Sequence, residues 1–220
     1  MLALGQLDAG IVCTGAFADP KLSQSCKVLL VPQLPGEGSY YRSFIVVRAG
    51  DPARRFEDLR GHSAVFTDPL SLTGYLYPIS RLCAMGQKPS AFFMALSFSH
   101  SHDRSIAVVV DGLADAAAVD SAVFGDWLER DAAHSKELRI IERSGPFPSP
   151  PIIVRSSLAV HERDRLRKAF LNLTATAGGR AILKQVGWAG LKDPDPEYLD
   201  RLQATGVFMK GLHGQNCISP

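Results

Sequence analysis

A chain of 220 residues with 46% hydrophobic content has enough apolar material for one large domain or two small lobes. The net charge of +2 is too small to argue for nucleic acid. The apolar runs break well before the roughly 18–20 residues that cross a bilayer, so no integral membrane segment is expected.

In chain order, residues 2–8 read as the end of a helix, 9–13 as a short buried strand and 14–17 as a turn into a helix. Residues 26–32 form a strand, and Gly and Pro mark 35–39 as loop. Residues 40–48 alternate aromatic, polar and β-branched side chains like a strand that crosses between lobes. A helical turn over 56–61 precedes a strand over 63–67. Helices over 74–85 and 103–110, a strand over 114–119 and a helix over 122–131 follow. This alternation implies a parallel α/β sheet. Residues 138–141 form an edge strand, and the proline-rich 144–151 is the return crossover into a strand over 152–155. An amphipathic helix over 161–177 ends at Gly178-Gly179, one more helix covers 180–186, and the tail from Gly206 is irregular.

The four cysteines, Cys13, Cys26, Cys83 and Cys217, have wide, irregular spacings without a Cys-x-x-Cys pair, which argues against structural zinc. Spacing does not rank their three pairings, and buried free thiols are the commoner outcome for scattered cysteines.

The segment Asp68-Pro69-Leu70-Ser71-Leu72-Thr73-Gly74-Tyr75 reads as a strand end, a hydroxyl-bearing turn and a helix start. The first N–H groups of a helix lack intrahelical partners and sit at the positive end of its dipole, so an anion can accept them together with the Ser71 and Thr73 hydroxyls. Gly74 allows close approach. The plainer role for Ser71 is capping. Two further segments share this character: Ser99-His100-Ser101-His102-Asp103 before an apolar helix, and a small-residue strand ending in Asp120-Ser121.

Taken in order, Tyr41-Arg42-Ser43-Phe44-Ile45-Val46-Val47-Arg48, Phe56-Glu57-Asp58-Leu59-Arg60-Gly61, Phe66-Thr67-Asp68-Pro69-Leu70-Ser71-Leu72-Thr73-Gly74-Tyr75, Ser101-His102-Asp103 and Asp115-Ala116-Ala117-Ala118-Val119-Asp120-Ser121 resemble the phosphate/phosphite/phosphonate-binding proteins of ABC transporters. The similarity runs over residues 7–187. It implies the two-lobed α/β fold of type II periplasmic binding proteins with hinge crossovers. Lobe 1 would comprise residues 1–51 and 150–220, and lobe 2 residues 52–149. The family's opening strand and helix have no counterpart here, so an incomplete first lobe and an N-terminally truncated chain are expected. The N-terminus carries no signal-peptide pattern.

The resemblance further implies a substrate-binding component of an ABC importer that takes a small phosphorus oxyanion in an interlobe cleft. It uses no cofactor or metal, and its partner is a permease in a periplasmic or other extracytoplasmic setting. The ligand set would be Ser71, Thr73, Gly74, His102, Asp120, Thr14, Tyr41 and Tyr40. Leu72 stands where the family often has a polar residue. His102 donates to a phosphoryl oxygen, with the anion favouring the imidazolium. Asp120 repels a fully deprotonated ion and accepts from P–OH or an ammonium, while its plainer role is a helix cap. The alternatives are core packing for Tyr40 and Tyr41, and a sensing input domain for the whole chain. An enzyme is not expected: Ser71, His102 and Asp120 form a nominal Ser/His/Asp set, but no Gly-x-Ser-x-Gly elbow holds the serine.

Overall fold

The computed structural model describes residues 2–131, 134, 136–214 and 217. They form two compact units, unit 1 from Met1–Tyr41 and Phe147–Phe208, and unit 2 from Arg42–Pro146 and Met209–Pro220.

Unit 1 opens with a 3-10 turn (Leu2–Leu4), β1 (Ala9–Ile11), α1 (Thr14–Phe17), α2 (Pro20–Ser25), β2 (Cys26–Gln33) and β3 (Tyr40–Tyr41). Unit 2 continues with β4 (Ser43–Arg48), a 3-10 turn (Phe56–Leu59), β5 (Ser63–Phe66) and a π-helical turn (Leu72–Leu76) that runs into α3 (Tyr77–Ala84). It then carries α4 (Pro89–Phe92), β6 (Ala95–Phe98), α5 (His102–Val110), β7 (Ala116–Asp120), α6 (Ser121–Arg130) and β8 (Leu138–Arg143). The chain returns to unit 1 with β9 (Phe147–Pro148), β10 (Ile152–Arg155), α7 (Val160–Ala175), α8 (Ala177–Gln185), β11 (Gly190–Lys192) and α9 (Pro196–Gly214). The C-terminal turns of α9 belong to unit 2.

The five-stranded sheet of unit 2 has the order β6-β5-β7-β4-β8. Strands β6, β5 and β7 are parallel, and β4 runs antiparallel between β7 and β8. Alternate side chains leave on opposite faces, as the two-residue strand period requires. Ile45, Val47, Ala64, Phe66, Ala116 and Ala118 enter one core with Phe56, Leu82 and Phe92. Val46, Val65, Ala117 and Val119 enter the other with Ile106, Phe124 and Trp127. A sheet buried on both faces explains why these strands read as unbroken apolar runs.

The parallel expectation, drawn from the alternation over residues 56–131, holds for β5, β6 and β7 of unit 2 and does not extend to unit 1. Its four-stranded sheet, β1-β10-β2-β11, is antiparallel at every pairing. Helix α7 and the strand residues Ile152 and Val154 share a core with Leu30 and Leu183. Ile153 turns to the other face, onto Phe17, Tyr198 and Leu202.

Two further expectations fail for physical reasons. Gly178-Gly179 does not terminate a helix: α7 stops at Ala175, and Thr176 caps α8 by accepting the Gly179 N–H at 3.1 Å. A side chain at Gly179 would run into the backbone of Leu173, so the glycine serves close packing at the α7–α8 corner. The tail beyond Gly206 is helical through Gly214, because Met209 and Leu212 bury themselves in spite of the surrounding glycines. Cys217 then forms a disulfide with Cys83 on α3, while Cys13 and Cys26 stay in the thiol form, Cys13 Sγ accepting the Ala16 N–H at 3.3 Å. Among the described residues no helix is long and apolar enough to cross a membrane.

Candidate functional site

The three parallel strands of unit 2 end at one edge of the sheet, and each feeds a helix start. From β5 the chain passes through residues 67–71 into the π-helical turn, from β6 through 99–101 into α5, and from β7 directly into α6. Ligands of open α/β sheets bind at this carboxyl edge, where helix N-termini converge. A π turn is itself frequent at functional positions.

Ser71 is the N-cap of the π turn, and its Oγ accepts the Gly74 N–H at 3.0 Å. The Ser71 hydroxyl proton remains to donate. Thr73 is 1% exposed; its carbonyl accepts from Ser43 Oγ of β4 at 2.5 Å, and its hydroxyl has no protein partner among the described residues. With Gly74 engaged by Ser71, the Leu72 and Thr73 amides are left in the first turn, where helical geometry offers no partner. A Cβ at Gly74 would overlap the Thr67 side chain and Ser71 Oγ. Ser101 caps α5 without a side-chain bond.

His102 opens α5. Its Nδ1 lies 3.1 Å from the Asp120 amide and 3.1 Å from Thr67 Oγ1. A backbone amide can only donate, so Nδ1 carries the lone pair and the ring proton sits on Nε2. Burial lowers the His102 pKa to about 4, with Asp103 opposing weakly. The expected imidazolium is therefore corrected to a neutral imidazole that donates through Nε2–H. His100, beside it, adopts φ 61° and donates its N–H to the Thr67 carbonyl at 2.8 Å.

This histidine sets a pH dependence. Its folded-state pKa lies below the unfolded value of 6.5, so the unfolded chain binds the extra proton between the two. Its stabilising contribution is whole above pH 6.5 and falls as the pH drops toward 4. Between pH 7 and 5 the loss is about 2 kcal/mol. Urea unfolding of the wild type and His102→Asn at both pH values checks this: the variant should lose about 2 kcal/mol less on acidification.

Asp120 caps α6, its Oδ1 accepting from Ala122 N at 2.7 Å and Val123 N at 3.3 Å. The capping role is thus real, with one carboxylate oxygen serving two amides at the start of α6. Ser121 Oγ accepts the Arg42 N–H at 2.9 Å, tying α6 to the start of β4. The nominal Ser/His/Asp set is not a catalytic relay. His102 Nδ1 faces the Asp120 amide instead of donating to its carboxylate, and without that bond nothing prepares the imidazole as a base.

Three expected residues lie in unit 1. Thr14 is fully buried on α1, and its hydroxyl donates to the Pro148 carbonyl at 2.8 Å, which occupies its one proton. Tyr41 is 2% exposed and pairs with Phe147. Tyr40 packs its ring 6.4 Å from Tyr198, with the Arg201 guanidinium 5.3 Å above it. Thr67 and Ser43 are the polar neighbours that sequence reasoning passed over. Thr67 was visible only as the last residue of the predicted strand over 63–67, and Ser43 carries no local signal at all. Among the described residues no group of His, Cys, Asp and Glu side chains could hold a metal ion.

The family model described as "ABC transporter, phosphonate, periplasmic substrate-binding protein" matches residues 1–199. The chain belongs to this family. It is a family of solute-binding proteins, not of enzymes, and the sensing alternative gains nothing from it. The phosphonates-binding periplasmic protein of Escherichia coli K12 is 27% identical over 179 residues, 78% of this chain and 52% of that protein. The chain thus spans about half the length of that curated relative. Among solved structures, the binding-protein component of an ABC phosphonate transporter from Pseudomonas aeruginosa matches with TM-score 0.82 at 18% identity, covering 95% of this chain and 70% of that one. A Prochlorococcus marinus protein in complex with methylphosphonate matches with TM-score 0.82 at 17% identity, covering 96% and 80%. These likenesses establish the type II periplasmic-binding-protein fold.

Proposed function

We propose that this phosphonate-family protein is the substrate-binding component of an ABC importer, and that it captures a small phosphorus oxyanion at the carboxyl edge of the unit 2 sheet. The carrying observation is the set of neutral donors gathered there: the Thr73 hydroxyl, unpartnered among the described residues, the Ser71 hydroxyl, the amides of the π turn and the fixed Nε2–H of His102. A tetrahedral oxyanion needs several converging donors, and none of these must change protonation to provide them. Asp120 makes the site selective. A carboxylate tolerates an oxyanion that brings its own proton, or an aminoalkyl group, and disfavours one that brings neither.

A phosphonate is the favoured ligand, with phosphite and phosphate as close variants, because the family is described by phosphonate and one structural relative holds methylphosphonate. Delivery is to the permease of an ABC transporter, outside the cytoplasm. The Cys83–Cys217 disulfide supports that location, since such bonds persist in oxidising compartments.

Isothermal titration with methylphosphonate, 2-aminoethylphosphonate, phosphite, phosphate and sulfate tests the reading. At least one phosphorus ligand should bind with Kd of about 1 μM or tighter, and Ser71→Ala should weaken it about tenfold. Absence of binding by folded protein to every phosphorus ligand overturns the proposal.

A further inference from the structure

We propose that Thr67 is the positioning residue of this site: without touching the ligand, it holds the converging segments together and aims His102. The inference rests on reading this edge as the anion site. Thr67 follows β5 directly and is 6% exposed, and each of its polar groups goes to a different place. Its N–H donates to the Gly74 carbonyl at 3.2 Å, and its carbonyl accepts the His100 N–H at 2.8 Å. Its hydroxyl lies 3.1 Å from His102 Nδ1. Its side chain also fills the space that a Cβ on residue 74 would need. The turn after β5 and the loop after β6 are therefore joined through one residue. The His102 ring extends the link to the Asp120 amide at the end of β7.

The geometry fixes the direction of the hydroxyl bond. The Asp120 amide already requires a lone pair on Nδ1, so Thr67 donates to the same nitrogen. Two donors on one ring nitrogen, arriving from different strands, restrict ring rotation and hold the proton on Nε2. A threonine suits this task because β-branching leaves χ1 few states. Valine would keep that shape and place a methyl against Nδ1. Serine would keep the donor and give up the stiffness.

The test compares wild type, Thr67→Val and Thr67→Ser in the intact chain, using imidazole nitrogen NMR of ligand-free protein, calorimetry with methylphosphonate, and thermal melting. Wild-type His102 should show one tautomer with the proton on Nε2. Thr67→Val should broaden or split that signal and weaken binding about tenfold while melting within about 3 °C of wild type. Thr67→Ser should restore the signal and bind within about threefold of wild type. If Thr67→Val does not fold, Thr67→Ala makes the same comparison. Unchanged His102 signals and affinity in the hydroxyl-free variant overturn the inference, as does a wild-type proton on Nδ1. If wild type binds no phosphonate, the anion-site reading fails by itself, and the ligand-free NMR comparison still decides the role of Thr67.

Discussion

Gly74→Ala should lower ligand affinity by about a hundredfold or more and reduce stability by about 1–3 kcal/mol, the usual range for overpacking a filled site. The added carbon would overlap Thr67 Oγ1 and Cβ as well as Ser71 Oγ. Thr67 Cβ is not the movable end of a flexible side chain, so either the π turn or the end of β5 must shift. A shift of the turn moves the Thr73 donor, and a shift of Thr67 releases His102, so either response damages the site. Gly125→Ala is the matched control. It lies within α6, where an added Cβ meets nothing within 4 Å, and should stabilise by about 0.5–1 kcal/mol with binding unchanged. Denaturant unfolding and calorimetry of both variants provide the comparison. Wild-type affinity in Gly74→Ala would show that the close approach has no part in the site.

Loss of the Cys83–Cys217 disulfide should destabilise unit 2 by about 2–4 kcal/mol. The bond closes a loop between residues 134 apart in sequence. Chain-entropy arithmetic for such a loop gives about 5 kcal/mol, and measured effects commonly fall below that value. The bond is also what fastens the described end of the chain to α3, since Cys217 packs against the core that contains Leu82 and Phe92. Urea unfolding with and without reductant should show a lower midpoint on reduction. Cys83→Ser should start at that lower midpoint and ignore the reductant. Thiol titration of unfolded, unreduced protein should find two of the four cysteines reactive, Cys13 and Cys26. Four reactive thiols, or a midpoint that ignores reductant in the wild type, would contradict a stabilising Cys83–Cys217 bond.

Much of unit 2 was legible because its information is local. Short apolar strands followed by Ser, Thr or Asp announce strand ends that feed helix starts, and Ser71 and Asp120 are the caps that such positions imply. Strand β6 was missed because its residues alternate between exposed and half-buried at the sheet edge and include little β-branched material. The antiparallel pairing of unit 1 was hidden because strand direction is set by partners far apart in sequence, such as Ile11 with Ile152. Gly178-Gly179 carried a stop signal, yet tertiary packing at Leu173 overrode it. The protonation of His102 was inaccessible for the same reason. It depends on the main-chain amide of Asp120, 18 residues away, and that contact exists only once β6, β5 and β7 lie side by side.

The most direct measurement of the central claim is a map of backbone amide shifts as methylphosphonate is titrated into isotope-labelled protein. Within unit 2, the largest shifts should fall at Leu72, Thr73 and Gly74 and at the start of α5 around His102, with the opposite edge of the sheet around Arg48 and Glu137 unaffected. Saturable binding that leaves the residues from Leu72 to Gly74 and His102 unshifted would contradict it, because the ligand would then occupy a site other than the carboxyl edge of the parallel strands.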